Sequence, residues 1–302
     1  VAASWTAARR AAAVPRDILL DAGGPVERGK GNGRGKPGGG GDDSVTEDSG
    51  GAVTGASWND AGVDPVDDSV AKAFFNLGGV DYVCSASVVE PAVLAGNVAD
   101  DRSVVLTAGH CVWDDTHRYA TDFVVVPNYD FVGDCEPESC WVAEFFHASA
   151  GWTAPGNDYV HDFAFVAFDG SLATAVGQDS VVPVAINDFA PPTEVHAFGY
   201  PAAKKYSGRD LVYCAGPTIS GPGSYRDNLG LRCDMTGGSS GGPWYADFEG
   251  GYANFEGERK RVVVSLNSFG LRGYNGYMFG PVFDDQAADA LNAASSWVAP
   301  SN

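Results

Sequence analysis

Basic residues are scarce in this chain: 19 Lys and Arg stand against 39 Asp and Glu, a formal net charge of -20 at pH 7. Nucleic acids and anionic membranes are reached through clustered Lys and Arg, so neither is expected as a partner. No apolar run approaches the ~18 residues that span a bilayer. No C-x-x-C pair occurs, and no histidine lies at zinc-finger spacing from a cysteine, which removes the common structural zinc sites. Long segments of helical period are missing too, the one clear helix candidate being "DDQAADALNAASSW" at residues 284–297. Finally, no histidine follows His196. A serine nucleophile late in this chain must draw its base from upstream.

What is present is a β texture. Forty glycines and 17 prolines punctuate short runs such as "VDYVCSASVV", "RSVVLTAGH", "DFVVVP", "FAFVAFDG" and "RVVVSLNSFG", the pattern of many strands and turns. Without intervening helices, this predicts an all-β sandwich or barrel from about residue 70 onward. Residues 23–55 differ: they are Gly-rich, charged and nearly free of aromatics. Such a stretch buries too little apolar surface to offset its ordering entropy, and a flexible linker is predicted. Before it, "SWTAARRAAAVPRDILL" suits a short helix or docking segment. Arg9, Arg10 and Arg16 interrupt this opening stretch, so it is not an intact signal peptide, and a leader already removed upstream is the expectation. Residues 1–41 carry seven Lys or Arg and three Asp or Glu, a balance of +4, which leaves -24 for the remainder of the -20 total. The two parts are expected to attract.

The six cysteines, Cys84, Cys111, Cys135, Cys140, Cys214 and Cys233, form an even set that favours disulfides over metal. Fifteen pairings exist for six cysteines, and sequence neighbourhood favours 84 with 111, 135 with 140, and 214 with 233. Disulfides imply an oxidising, extracellular compartment.

The chemistry concentrates in "CDMTGGSSGGPW", residues 233–244. It fits both G-x-S-x-G, the elbow of α/β-hydrolases, and G-x-S-G-G-P, and both select Ser240. The elbow requires a histidine after the serine, and none follows. A His-Asp-Ser order is satisfied by His110 in "LTAGHCV" and Asp162 in "VHDFAFVAF". A serine hydroxyl needs a base to take its proton, and the base needs a carboxylate to fix its tautomer. Asp158 and Asp169 compete for that last role, but "PGND" and "FDG" are turn contexts. Asp162 abuts an apolar run, where an unpaired carboxylate would be costly. His161 is expected to point away and be structural. His117, His147 and His196 have no motif company, and Arg259, Lys260 and Arg261 are expected to cap an exposed hairpin between "GGYANFEGE" and "VVVSLNSFG".

On these motifs the chain resembles the chymotrypsin-type serine peptidases over roughly residues 70–300. It is most similar to the secreted bacterial and fungal branch that includes the glutamyl endopeptidases, through "KAFFNLGGVDYVCSAS", "HAFGYP" and "CDMTGGSSGGPW". The resemblance implies two antiparallel six-stranded β-barrels, about 70–190 and about 191–302, with a cleft between them, a crossing near residues 187–194 and a C-terminal helix. Residues 1–69 become a propeptide-like segment and linker. His110, Asp162 and Ser240 take the catalytic roles, and the amides of Gly238 and Ser240 form the oxyanion hole. No metal or organic cofactor is implied, the substrates are proteins or peptides, and a monomer is expected.

For substrate binding the resemblance nominates Asp234, Met235, Thr236, Ser265 and Asn267. Members that cut after glutamate carry Thr and His where Met235 and Asn267 stand, so glutamate preference is not expected. Ser239 occupies the place of the Asp that captures a new amino terminus in trypsin-like enzymes. Activation is therefore expected through removal of the basic amino-terminal segment. The competing reading is a silent or latent protease-fold binding module; no member of the His-Asp-Ser set is lost to favour it. A subtilisin order would need an α/β alternation that is missing.

Overall fold

The computed structural model describes residues 1–21, 54–58, 66–92, 102–114, 116–129, 135, 139–177, 180–188, 193–246, 252–253 and 259–298. Most of the expected linker at 23–55, and residues 189–192 of the expected crossing, lie outside the described residues.

The first half is one antiparallel sheet in which Trp141–Val142, Thr121–Pro127, Val70–Leu77, Val80–Val89, Arg102–Thr107, Ala164–Asp169 and Phe145–Ala148 follow one another. The two ends of that order belong to one stretch of chain, 141–148. Between them the Ala143 amide donates to the Phe123 carbonyl and the Glu144 amide to the Ala167 carbonyl. The sheet thus curls back on itself into a barrel, and Phe74, Phe75, Val104, Leu106, Phe165 and Phe168 fill the core of this half. These strands read as continuous apolar runs in sequence because both of their faces are covered.

The second half has a five-stranded sheet, Val262–Leu266, Pro243–Ala246, Glu194–Gly199, Val212–Pro217 and Ala56–Ser57, and a three-stranded one, Ile219–Ser220, Leu229–Arg232 and Tyr277–Gly280. Residues 212–220 take part in both. Among the described residues hydrogen bonding does not itself mark out six strands in each barrel: residues 14–15 and 56–57 add strands from the amino-terminal part, and breaks at 143–144 and 218 split others. Strands Tyr252–Ala253 and Arg259–Lys260 pair with each other, so Arg259 and Lys260 form one arm of a hairpin and do not cap the one expected between residues 250–258 and 262–270.

The helix Asp285–Ser296 starts where Asp284 accepts the Gln286 amide, and it buries Ala287, Ala290, Leu291 and Ala294 against the first barrel. All three disulfides pair as neighbours do in sequence, Cys84–Cys111, Cys135–Cys140 and Cys214–Cys233. Among the described residues no helix is long and apolar enough to cross a membrane.

Candidate active site

His110 sits in a single helical turn, Gly109–Val112, that follows strand Arg102–Thr107 and is tied to strand Val80–Val89 by the Cys84–Cys111 disulfide. Glycine is required before it, because a Cβ at Gly109 would stand 2.7 Å from the Trp152 indole and 3.1 Å from an Asp162 oxygen. Asp162 ends the 3-10 turn Tyr159–His161 and precedes strand Ala164–Asp169. One of its oxygens accepts the His110 backbone amide at 2.7 Å, and the other meets Nδ1 of the same residue at 2.7 Å. The second oxygen also accepts the hydroxyl of Ser268. Asp162 and His110 are fully buried. A carboxylate is stable there only because amide, imidazole and hydroxyl donors surround it.

Ser240 belongs to the other half. Its loop turns through two left-handed glycines, Gly238 at φ +96° and Gly241 at φ +84°. At Gly241 any Cβ would run into the Ser85 carbonyl and the Thr107 hydroxyl of the first barrel. The first barrel also shapes the loop: the Ser85 amide donates to the Ser240 carbonyl at 2.7 Å, and the Ser85 hydroxyl donates to the Gly238 carbonyl at 2.9 Å. Ser239 faces inward, its hydroxyl donating to the Thr236 carbonyl at 2.8 Å.

Ser240 Oγ does not donate to histidine. Its hydrogen bond, 3.3 Å, goes to the backbone carbonyl of Arg16, which also accepts the Gly238 amide at 3.3 Å. The Arg16 side chain donates from Nε to the His110 carbonyl at 2.7 Å and covers the Tyr82 ring. His110 Nε2 is buried with no hydrogen-bond partner. An amino-terminal residue thus touches Ser240, the Gly238 amide and His110 together.

The residues nominated for substrate contact are otherwise engaged. Asp234 accepts from Lys205 Nζ at 2.6 Å, Tyr206 OH at 2.5 Å and the Gly55 amide at 2.9 Å. Partial burial opposes its ionisation, but these donors outweigh it and hold the carboxyl below the usual range. Met235 is buried in the core of the second half. Thr236 is bonded to the backbone of Ala203 in both directions. Ser265 donates to the Pro281 carbonyl, away from the serine loop. Asn267 donates to the Phe198 and Ser239 carbonyls and accepts from Trp244, so it braces the Ser240 loop from behind.

The remaining candidates sit where bland roles suffice. His161 spans Asp158 and Asp284, joining the loop to the C-terminal helix. Asp158 caps its turn and Asp169 accepts the Ser171 amide. His196 stacks on Tyr213, and burial lowers the pKa of His147. Sequence reasoning missed Ser268, Ser85, Thr107 and Arg16. A hydroxyl set in an apolar strand run was the available signal for Ser85 and Thr107; nothing marked Arg16.

No model of a protein family matches the chain. A curated relative, an extracellular metalloprotease from Bacillus subtilis (strain 168), is 24% identical over 200 residues, covering 64% of this chain and 53% of that protein. The chain thus spans about half the length of the curated relative it matches. Among the described residues, potential metal ligands gather only at Cys84, His110 and Cys111. Their sulfurs are joined as a disulfide and His110 Nδ1 is held by Asp162, so this donor set does not fit a metal ion.

Solved structures are closer. A thermostable serine protease, AL20, from an extremophilic microorganism is 34% identical, covers 78% of this chain and 100% of its own, and superposes with a TM-score of 0.63. The protease Anisep from Arthrobacter nicotinovorans is 31% identical over 78% of this chain and 98% of its own, also at 0.63. A Glu endopeptidase shares the fold at 17% identity and a TM-score of 0.59, covering 82% of this chain and 99% of its own. With more than 30% identity across whole solved proteases of the same two-barrel build, the chain belongs to the chymotrypsin-like serine proteases.

Proposed function

We propose that this chain is a secreted serine endopeptidase that cleaves proteins or peptides through Ser240, His110 and Asp162. The observation that carries the reading is the double grip of Asp162 on His110, which orients the imidazole through Nδ1 and leaves Nε2 without a hydrogen-bond partner and so able to act as base.

In the reaction, His110 Nε2 takes the Ser240 proton as Oγ attacks the substrate carbonyl carbon. Asp162 stabilises the imidazolium that results. Charge on the carbonyl oxygen is met by the amides of Gly238 and Ser240. The imidazolium then passes its proton to the departing amine, leaving an ester on Ser240. Water, deprotonated by His110, hydrolyses that ester and restores the enzyme. Three disulfides support an extracellular setting, as does a relative named extracellular. The charge of -20 supports action without nucleic acid or an anionic membrane, and we read the active form as a monomer.

The test is exhaustive labelling with a fluorophosphonate, followed by peptide mass spectrometry. An adduct on Ser240 that disappears in His110→Ala is expected. An adduct elsewhere, or one indifferent to His110, would sink the assignment.

A further inference from the structure

We propose that residues 14–21 are a built-in occupant of the substrate cleft, bound in a non-productive pose that keeps the hydroxyl of Ser240 from His110. The proposal rests on the triad reading above and adds what the intact chain does with it.

The first support is the path of the segment. Val14 and Pro15 pair in parallel with Tyr82 and Val83 on the first barrel, and the Arg16 amide donates to the Val83 carbonyl at 3.1 Å. Two residues later the Gly270 amide donates to the Ile18 carbonyl at 2.9 Å, and Leu19–Asp21 pair in parallel with Gly270–Arg272 on the second. The peptide is therefore stitched to a strand of each barrel, the way an added strand binds. Between the two stitches it passes over the serine. Ile18 and Leu20 pack on the Phe269 cluster beside the cleft.

The second support is the contact at the centre. The Arg16 carbonyl oxygen takes hydrogen bonds from both Ser240 Oγ and the Gly238 amide, so it engages the nucleophile and one of the two proposed oxyanion donors at once. Cleavage of the Arg16–Asp17 bond would need Oγ to bond the carbonyl carbon while its proton moves to His110 Nε2. Here the hydroxyl points its proton at the carbonyl oxygen, and Nε2 is buried without a partner. The bond is presented and not attacked, and only 5% of Ser240 remains exposed to a competing substrate.

The third support is the anchor. Trp5 is fully buried against Phe74, with its indole nitrogen donating to the Asp122 carbonyl. Arg9 lies on the Trp5 ring and pairs with Asp81 and Asp122. These contacts fix the helix Ala7–Ala12 on the first barrel and keep the following residues at high effective concentration over the site. The segment thus lies parallel to a strand of each barrel, with Arg16 at the serine and Ile18 and Leu20 packed beside it.

The experiment compares initial rates of Ser240 labelling by a fluorophosphonate, and of fluorogenic peptide hydrolysis, in the intact chain and in Trp5→Ala and Arg9→Ala. Both substitutions loosen the anchor at a distance from the serine, and Arg9→Ala serves if Trp5→Ala fails to fold. Intact mass and circular dichroism confirm uncut, folded protein. At least tenfold faster labelling in Trp5→Ala and severalfold in Arg9→Ala are expected, with a synthetic peptide of residues 1–21 slowing both variants again. Equal, prompt labelling of all three forms would overturn the inhibition and leave the triad standing. No labelling of any folded form, even after prolonged exposure, would overturn the triad reading and the inhibition with it.

Discussion

Ser268 and His110 share one oxygen of Asp162, the serine hydroxyl reaching it from the second barrel and the imidazole from the first. A carboxylate pinned by both cannot rotate away from the imidazole without losing a charge-assisted hydrogen bond, a type worth about 1.5–3 kcal/mol. Replacing Ser268 by Ala should lower kcat/KM by roughly ten- to a hundredfold with KM little changed. Steady-state kinetics on a peptide substrate, run on activated enzyme, checks this. A change confined to KM would mean that Ser268 touches substrate instead.

Lys72 is buried at 6% exposure, its ammonium bonded to the Gly208 carbonyl and lying over the rings of Phe74 and Tyr129. Burial first, and the neighbouring charge of Arg10 second, lower its pKa from 10.5 to about 8. The unfolded chain therefore holds this proton over a window where the folded chain does not, and stability rises with pH between about 8 and about 10.5. Below pH 8 the lysine is charged in both states and the full cost, on the order of 3 kcal/mol, applies. Urea unfolding across that range should show the rise in the natural chain and a flatter curve in Lys72→Met. Parallel curves would show that Lys72 is not its source.

Gly241 and Gly156 both have positive φ, but only Gly241 faces the neighbouring barrel. Gly241→Ala drives a methyl into Ser85 and Thr107 and should cost more than about 2 kcal/mol. It should also abolish Ser240 labelling. Gly156→Ala meets no atom within 4 Å and should cost only the backbone strain of roughly 1–2 kcal/mol. Thermal unfolding of the two variants, side by side, separates crowding from strain.

Asp234 already has a cation in Lys205 and a hydroxyl in Tyr206. It is not free to select a basic side chain, so Asp234→Asn should leave the ranking of Arg, Lys, Glu and Leu peptides unchanged. Cleavage of a matched peptide set provides the check. A selective loss of Arg and Lys cleavage would return Asp234 to the specificity pocket.

The parts of the site that could be read from sequence are those in which one short motif carries both residue type and backbone shape. "TAGHC" and "GGSSGGP" supply the histidine, the serine and the glycines that turn the loop, and the apolar run after Asp162 marks that carboxylate as buried. Neighbouring cysteines pair because short loops close easily, and an alanine stripe after Asp284 exposes the final helix. The nominated residues whose side chains are engaged elsewhere depend on partners far away in the chain. Asp234 stands in the expected place, yet its role is set by Lys205 and Tyr206 from another loop. Asn267 looks like a pocket residue and is instead consumed by three hydrogen bonds to distant groups. Arg16 acts through a carbonyl that every residue possesses, which is why its side chain gave no clue.

The bonds from Ser85 to the Ser240 loop also bear on how the protein matures. Ser85 lies on a first-barrel strand, accepts the Tyr200 amide through its hydroxyl, and fixes two carbonyls of the loop in the second half. That loop cannot take its final shape on a separately folded second barrel, because the donors that orient its peptide groups arrive only when the halves dock. The shape of the Ser240 loop is then a property of the docked pair of barrels and of neither half alone.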